Sequence, residues 1–164
     1  MPIAQDCSVS GSVHRAAPQF AARPSPVPAR PENRDATFVA MQQGFRGSGG
    51  LVRGDALAAS RGDGQCGGYI NLARRLVAGD LFSFHWHDSI WVPLFQLEAD
   101  RIALRDAPHQ VLGELRGVFD GWDLAGWYLR CNTWLAQQRP LDLLDSDLPA
   151  VLAAARADRF AINR

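Results

Sequence analysis

The chain has 164 residues, with 17 Lys+Arg against 17 Asp+Glu and 47% hydrophobic side chains. That length holds one ordinary domain with a tail and excludes two full cores, and a formal charge of zero excludes a protein that coats nucleic acid by bulk charge. The charge is uneven, however: nine Arg against six acids in residues 1–80, eight Arg against eleven acids in residues 81–164, so an anionic partner would meet the first half.

Every basic residue is Arg and none is Lys, as a high-GC bacterial coding bias would give. Cys7, Cys66 and Cys131 are odd in number and show no CxxC spacing, so they read as free thiols in a reducing cytoplasm rather than a disulfide framework or zinc site. Neither a signal peptide nor an apolar run of the roughly 18 residues a bilayer needs is visible, so the expected location is cytoplasmic with no membrane partner.

From Met1 to about Gln43 the chain is rich in Pro, Ala, Ser and Arg without helical or strand periodicity, and residues 1–45 read as a disordered tail. Gly44 to Gly50 reads as a hinge, and Leu51-Val52 with Asp55 to Ala59 as a short helix. Arg61 to Gln65 breaks it. Tyr69, Leu72, Leu76 and Val77 then fall at helical spacing, giving an amphipathic helix over 69–79 that stops at Gly79 and completes a helix-turn-helix-like pair.

At Leu81 the period becomes two: Phe82, Phe84 and Trp86 alternate with Ser83, His85 and His87. Asp88-Ser89 turns the chain into a return strand, Ile90-Trp91-Val92, which Pro93 confines to an edge or ends. Asp106 is placed to cap a helix carrying Val111, Leu112, Leu115, Val118 and Phe119 on one face. After Asp120-Gly121 a second helix carries Trp122, Leu124, Ala125, Tyr128 and Leu129. Pro140 opens a short turn over Leu141 to Leu144, and Ser146 is placed to cap a last helix burying Leu148, Val151, Leu152 and Ala155. The expected fold is mainly α (α+β): a tail over 1–45, a helix pair with a β-hairpin wing over 46–100, and a helical bundle over 101–164.

No catalytic constellation stands out. Gly47-Ser48-Gly49-Gly50 lacks the Lys-Ser/Thr ending of a phosphate loop, and no Ser sits in a nucleophile elbow. His85 and His87 share a strand face beside Asp88, but a metal needs a third ligand with support behind it, so neither metal nor cofactor is expected. Asp142, Asp145 and Asp147 read as caps and a solvated face. Trp86, Trp91, Trp122, Trp127 and Trp134 are many for one small core, so Trp127 and Trp134 become candidates for an interface. Arg53, Arg74 and Arg75 are the candidates for phosphate contacts from the helix pair.

The stretch from Trp127 to Arg156 resembles the Xre/MbcA/ParS toxin-binding domain of bacterial antitoxins. That pattern is a helix ending in Trp-Leu, a Pro-Asn-like turn, a Leu-Gly-Gly-like turn, Pro-x-x-Leu-Leu and a closing helix; here Asn132, Leu135, Pro140, Leu143 and Leu144 stand in the matching places. Cys131 replaces the Pro, and Ala136-Gln137-Gln138 replaces the glycines. The resemblance covers about residues 107–160, and the segment before it, including Trp91 to Gln96, resembles a reduced DNA-binding or excisionase-like unit.

The resemblance implies a non-enzymatic antitoxin that sequesters a cognate toxin protein, commonly an NAD-degrading one of the RES type, with Trp127, Trp134, Pro140, Leu144, Arg156, Arg159, Phe160 and Arg164 at the contact. It further implies a homodimer whose N-terminal unit binds promoter DNA. A stand-alone DNA-binding regulator is the second reading, and a metal-dependent enzyme built on His85 and His87 is the third.

Overall fold

The structure, a computed structural model, describes residues 31–60, 64–99 and 103–162. In chain order these form α1 (Pro31–Phe45), β1 (Leu51–Arg53), α2 (Gly54–Ala59), α3 (Gly64–Ala78), β2 (Phe84–Trp86), β3 (Ser89–Pro93), α4 (Asp106–Leu115), α5 (Gly121–Leu129), α6 (Pro140–Leu143) and α7 (Leu148–Ile162). The fold is mainly α with one small antiparallel sheet, ordered β1-β3-β2.

Alternation along the three strands sorts side chains onto two cores. Val52, Ile90 and Val92 face α2 and α3 and join Leu57, Leu72, Leu81, Leu94 and Leu97 in a small cluster. Leu51, Phe84, Trp86 and Trp91 face the other way, into a larger core with α1, α4, α5 and α7. The register keeps like with like, Val52 opposite Val92 and Phe84 opposite Trp91. Because the larger core draws on both α1 and the C-terminal helices, it crosses the boundary that the sequence suggests at residue 100.

Four expectations need correction. The tail reading fails for residues 31–45: Phe38, Met41 and Phe45 recur at helical spacing and are all buried, at 2%, 5% and 0% exposure. Phe38 stacks on Trp86 at 3.8 Å and Phe45 on Phe95 at 5.5 Å, so three large buried side chains fix this helix. Residues 1–30 lie outside the described ones. Leu51 and Val52 belong to a strand, not a helix, because β3 offers them backbone partners.

Third, of the two roles expected of Pro93 only the strand end holds: β3 is the central strand and not an edge, and it stops at Pro93, which faces Leu51 at the end of the ladder. Fourth, two caps move by a residue. Arg105 precedes α4, with Asp106 in its first turn, where the carboxylate favours the helix dipole; Asp147 rather than Ser146 accepts from the N–H of Ala150 at the start of α7. Val118 and Phe119 lie beyond α4, which ends before Gly117 at φ 87°.

The pair α2 and α3 packs closely: a Cβ on Gly68 would lie 2.0 Å from the carbonyl oxygen of Ala58. At the end of α3, Gly79 takes φ 76°, its N–H donating to Leu76 and that of Asp80 to Arg75, which closes the last turn. The first elements run in the order α1-β1-α2-α3-β2-β3.

Candidate partner-binding surface

After α5 the chain has to turn sharply to reach α6, and Asn132 organises that turn. Its Oδ1 accepts from the N–H of Trp134 at 2.8 Å, capping the 3₁₀ turn Thr133–Leu135. Its Nδ2 donates to Asp158 Oδ2 at 2.8 Å, and its backbone N–H donates to Gln138 at 3.0 Å. Trp127 Nε1 donates to the same Asp158 oxygen at 2.8 Å, so one carboxylate on α7 holds both α5 and the turn.

Closing the loop requires left-handed backbone at Ala136 (φ 50°) and Gln137 (φ 66°). Leu135 points inward at 5% exposure while Trp134 stands outward at 64%. The turn packs on α7, which carries Phe160 at 60% and Ile162 at 50% exposure.

Beneath the turn lies a cleft of about 250 Å³ lined by Phe119, Asp123, Trp127, Arg130, Asn132 and Asp158, among others. Partial burial, then the neighbouring Asp120, hold the Asp123 carboxyl above its usual value, against the opposing pull of Arg130. Asp142 pairs with Arg139 and Asp145 with Arg105.

The expected contact residues divide. Trp127 (7% exposed), Pro140 and Leu144 are buried within the chain, so they support the surface instead of forming it. Trp134 and Phe160 are exposed. Arg156 and Arg159 lie on α7 and both grip Glu114 of α4, at 2.8 Å and 3.1 Å, so their guanidinium groups are held in place while still half open to solvent. Arg164 lies outside the described residues.

The residues expected to touch DNA are not gathered into one basic face. Arg53 pairs with Asp55 at 2.7 Å, Arg74 is exposed on α3, and the adjacent Arg75 is half-buried. Beside Arg74 the exposed face of α3 carries Tyr69, Ile70 and Val77. His85 and His87 do not share a strand face, because β2 ends at Trp86 and His87 turns away at φ 48° toward Asp35. Among the described residues no three of His, Cys, Asp and Glu converge as metal ligands would.

Sequence reasoning missed Asp158 and Glu114. Asp158 had a signal: it continues the stripe Val151, Ala155, Ile162 of α7, and an acid inside an apolar stripe asks for an internal donor. Comparison of the chain with protein-family models, curated proteins and solved structures finds no match. Among the described residues no helix is long and apolar enough to cross a membrane.

Proposed function

We propose that the chain is an antitoxin-like protein that neutralises a partner toxin by docking the surface built on Trp134 and the outer face of α7 against it. The observation that carries the reading is Trp134: a tryptophan 64% exposed on a turn whose backbone is fixed by Asn132. An exposed indole on a rigid support loses little conformational freedom on binding, which is how interface hot spots act. The left-handed pair Ala136-Gln137, within the Ala136-Gln137-Gln138 stretch that stands in place of the resembled antitoxin family's glycines, supports the reading, as does the turn's sequence pattern.

The test is a search of the adjacent genes for a small RES-type protein, whose absence would weaken the reading, followed by co-expression with that protein. Cells making the toxin alone should lose NAD and stop growing, and the wild-type chain should restore both. Trp134→Ala combined with Phe160→Ala should fold normally and fail to protect. Full protection by that double variant would refute the assignment of the surface.

A DNA-binding regulator is the second reading, favoured by the helix pair α2-α3 and the β2-β3 hairpin that follows it. It fits α3 less well, since an exposed face of Tyr69, Ile70 and Val77 offers phosphates little.

A further inference from the structure

We infer that the cleft between the end of α3 and the start of α5 binds a small amphipathic anion, an alkyl chain that ends in a carboxylate. The cleft measures about 450 Å³ and is lined by Leu76, Val77, Leu81, Leu112, Phe119 and Leu124, among others. Sites for small molecules have this size and this make-up, mostly apolar with a few polar groups that fix orientation. An occupant would bridge the small core, through Leu76 and Leu81, and the large one, through Leu112 and Leu124.

Val77 differs from the other lining residues. It is 89% exposed, the most exposed of the large apolar side chains among the described residues. It carries the apolar wall out to the solvent, where a chain lying in the cleft would cover it.

One charged side chain lines the cleft, Arg116. Its NH1 nitrogen donates to the carbonyl of Ala78 at 2.8 Å and lies against Gly79, where a Cβ would come within 2.3 Å of it. The end of α3 thus holds the guanidinium in place, and Gly79 leaves room for it. Among the described residues no carboxylate stands within ion-pair distance of Arg116. The acids beside lining residues are engaged elsewhere: Asp80 faces His109 at 3.5 Å, and Asp120 accepts from the N–H of Asp123 at 2.8 Å.

A guanidinium fixed by one bond keeps its remaining N–H groups for an anion, and its fork matches a carboxylate by two parallel bonds. The apolar lining beside it suits an alkyl chain. A cationic ligand would meet Arg116 and no counter-charge in the lining.

Equilibrium dialysis of the full chain against labelled octanoate tests this. Saturable binding of one octanoate per chain is expected, at submillimolar concentration. Hexanoate and butyrate should bind more weakly, each loss of two methylenes costing roughly tenfold. Octanol keeps the chain and lacks the charge, so it should bind at least about tenfold more weakly than octanoate, and octylamine not measurably. Val77→Asp puts an acid on a side chain already in solvent; it should weaken octanoate severalfold and leave the melting midpoint of the free chain unchanged. Arg116→Gln should remove the preference for octanoate over octanol.

Absence of saturable octanoate binding by the wild type would overturn the proposal. So would equal affinity for octanoate and octylamine, a flat chain-length series, or octanoate binding that survives both Val77→Asp and Arg116→Gln.

Discussion

Asp158 is the residue on which the presented surface depends. Its single oxygen Oδ2 receives both Trp127 Nε1 and Asn132 Nδ2, at 2.8 Å each. Asp158→Ala would strand two donors that are largely shielded from water, at a cost of about 1–3 kcal/mol each at most. Chemical denaturation should show the loss, and the emission of Trp127 should shift to the red as its indole N–H meets water. Gln137→Gly acts oppositely: it relieves a left-handed backbone (φ 66°) that an L residue adopts only against steric strain, so the melting midpoint should rise by an amount equivalent to about 1 kcal/mol. A second buried polar group, Gln96 at 3% exposure, binds both backbone groups of Phe82 and the carbonyl of Pro93. Its signal was a polar residue within the apolar run Val92 to Leu97, readable only as an anomaly until its contacts with Phe82 are known.

Among the elements, helices whose apolar positions recur with a capping residue were legible: α3, α5 and α7 stand close to where the spacing puts them. The hairpin was also legible, from its alternation. Helix α1 was not, because only Phe38, Met41 and Phe45 turn inward and the rest of the segment reads like the Pro- and Arg-rich residues before it. Tertiary packing, not propensity, makes that helix. Phe38 packs on Phe84, Trp86 and Trp91. Phe38→Ala should therefore cost about 3–5 kcal/mol in urea titration, as loss of a buried aromatic does. A cost near zero would return residues 31–45 to the tail. Helix β-strand confusion at Leu51-Val52 has the same origin, since the partner that decides it, β3, lies some forty residues away in sequence.

At the scale of the whole molecule, Tyr128 sits where α5 meets the sheet and the following turn, stacked on Phe82 and edge-on to Phe95. Its hydroxyl faces the carbonyl of Pro108, and burial pushes its ionisation well above the ordinary phenol value. The unfolded chain releases that proton near pH 10, whereas the native state holds it, so the native state binds more protons above that pH. Global stability should accordingly be unaffected by this group below about pH 10 and fall above it by up to about 1.4 kcal/mol per pH unit. Denaturation midpoints measured from pH 8 to 11 should show the fall, and Tyr128→Phe should flatten it.

The fold class was legible in the sequence because period and turn residues are local signals. The candidate surface was legible only in part: the exposed positions Trp134 and Phe160 stood out by type, but the support behind them comes from Asp158 and Glu114, acids whose roles depend on which helices meet. Trp127, Pro140 and Leu144 belong to that support, as their burial shows.

The central claim is that the turn carrying Trp134 binds another polypeptide. Calorimetric titration of the purified chain with a cognate RES-type toxin, sought first in the adjacent genes, tests this most directly. The account predicts saturable binding by the wild type, weakened by Trp134→Ala by at least about 2 kcal/mol, or roughly thirtyfold, with no change in melting midpoint. Equal affinity of the variant, or no binding by the wild type, would contradict it.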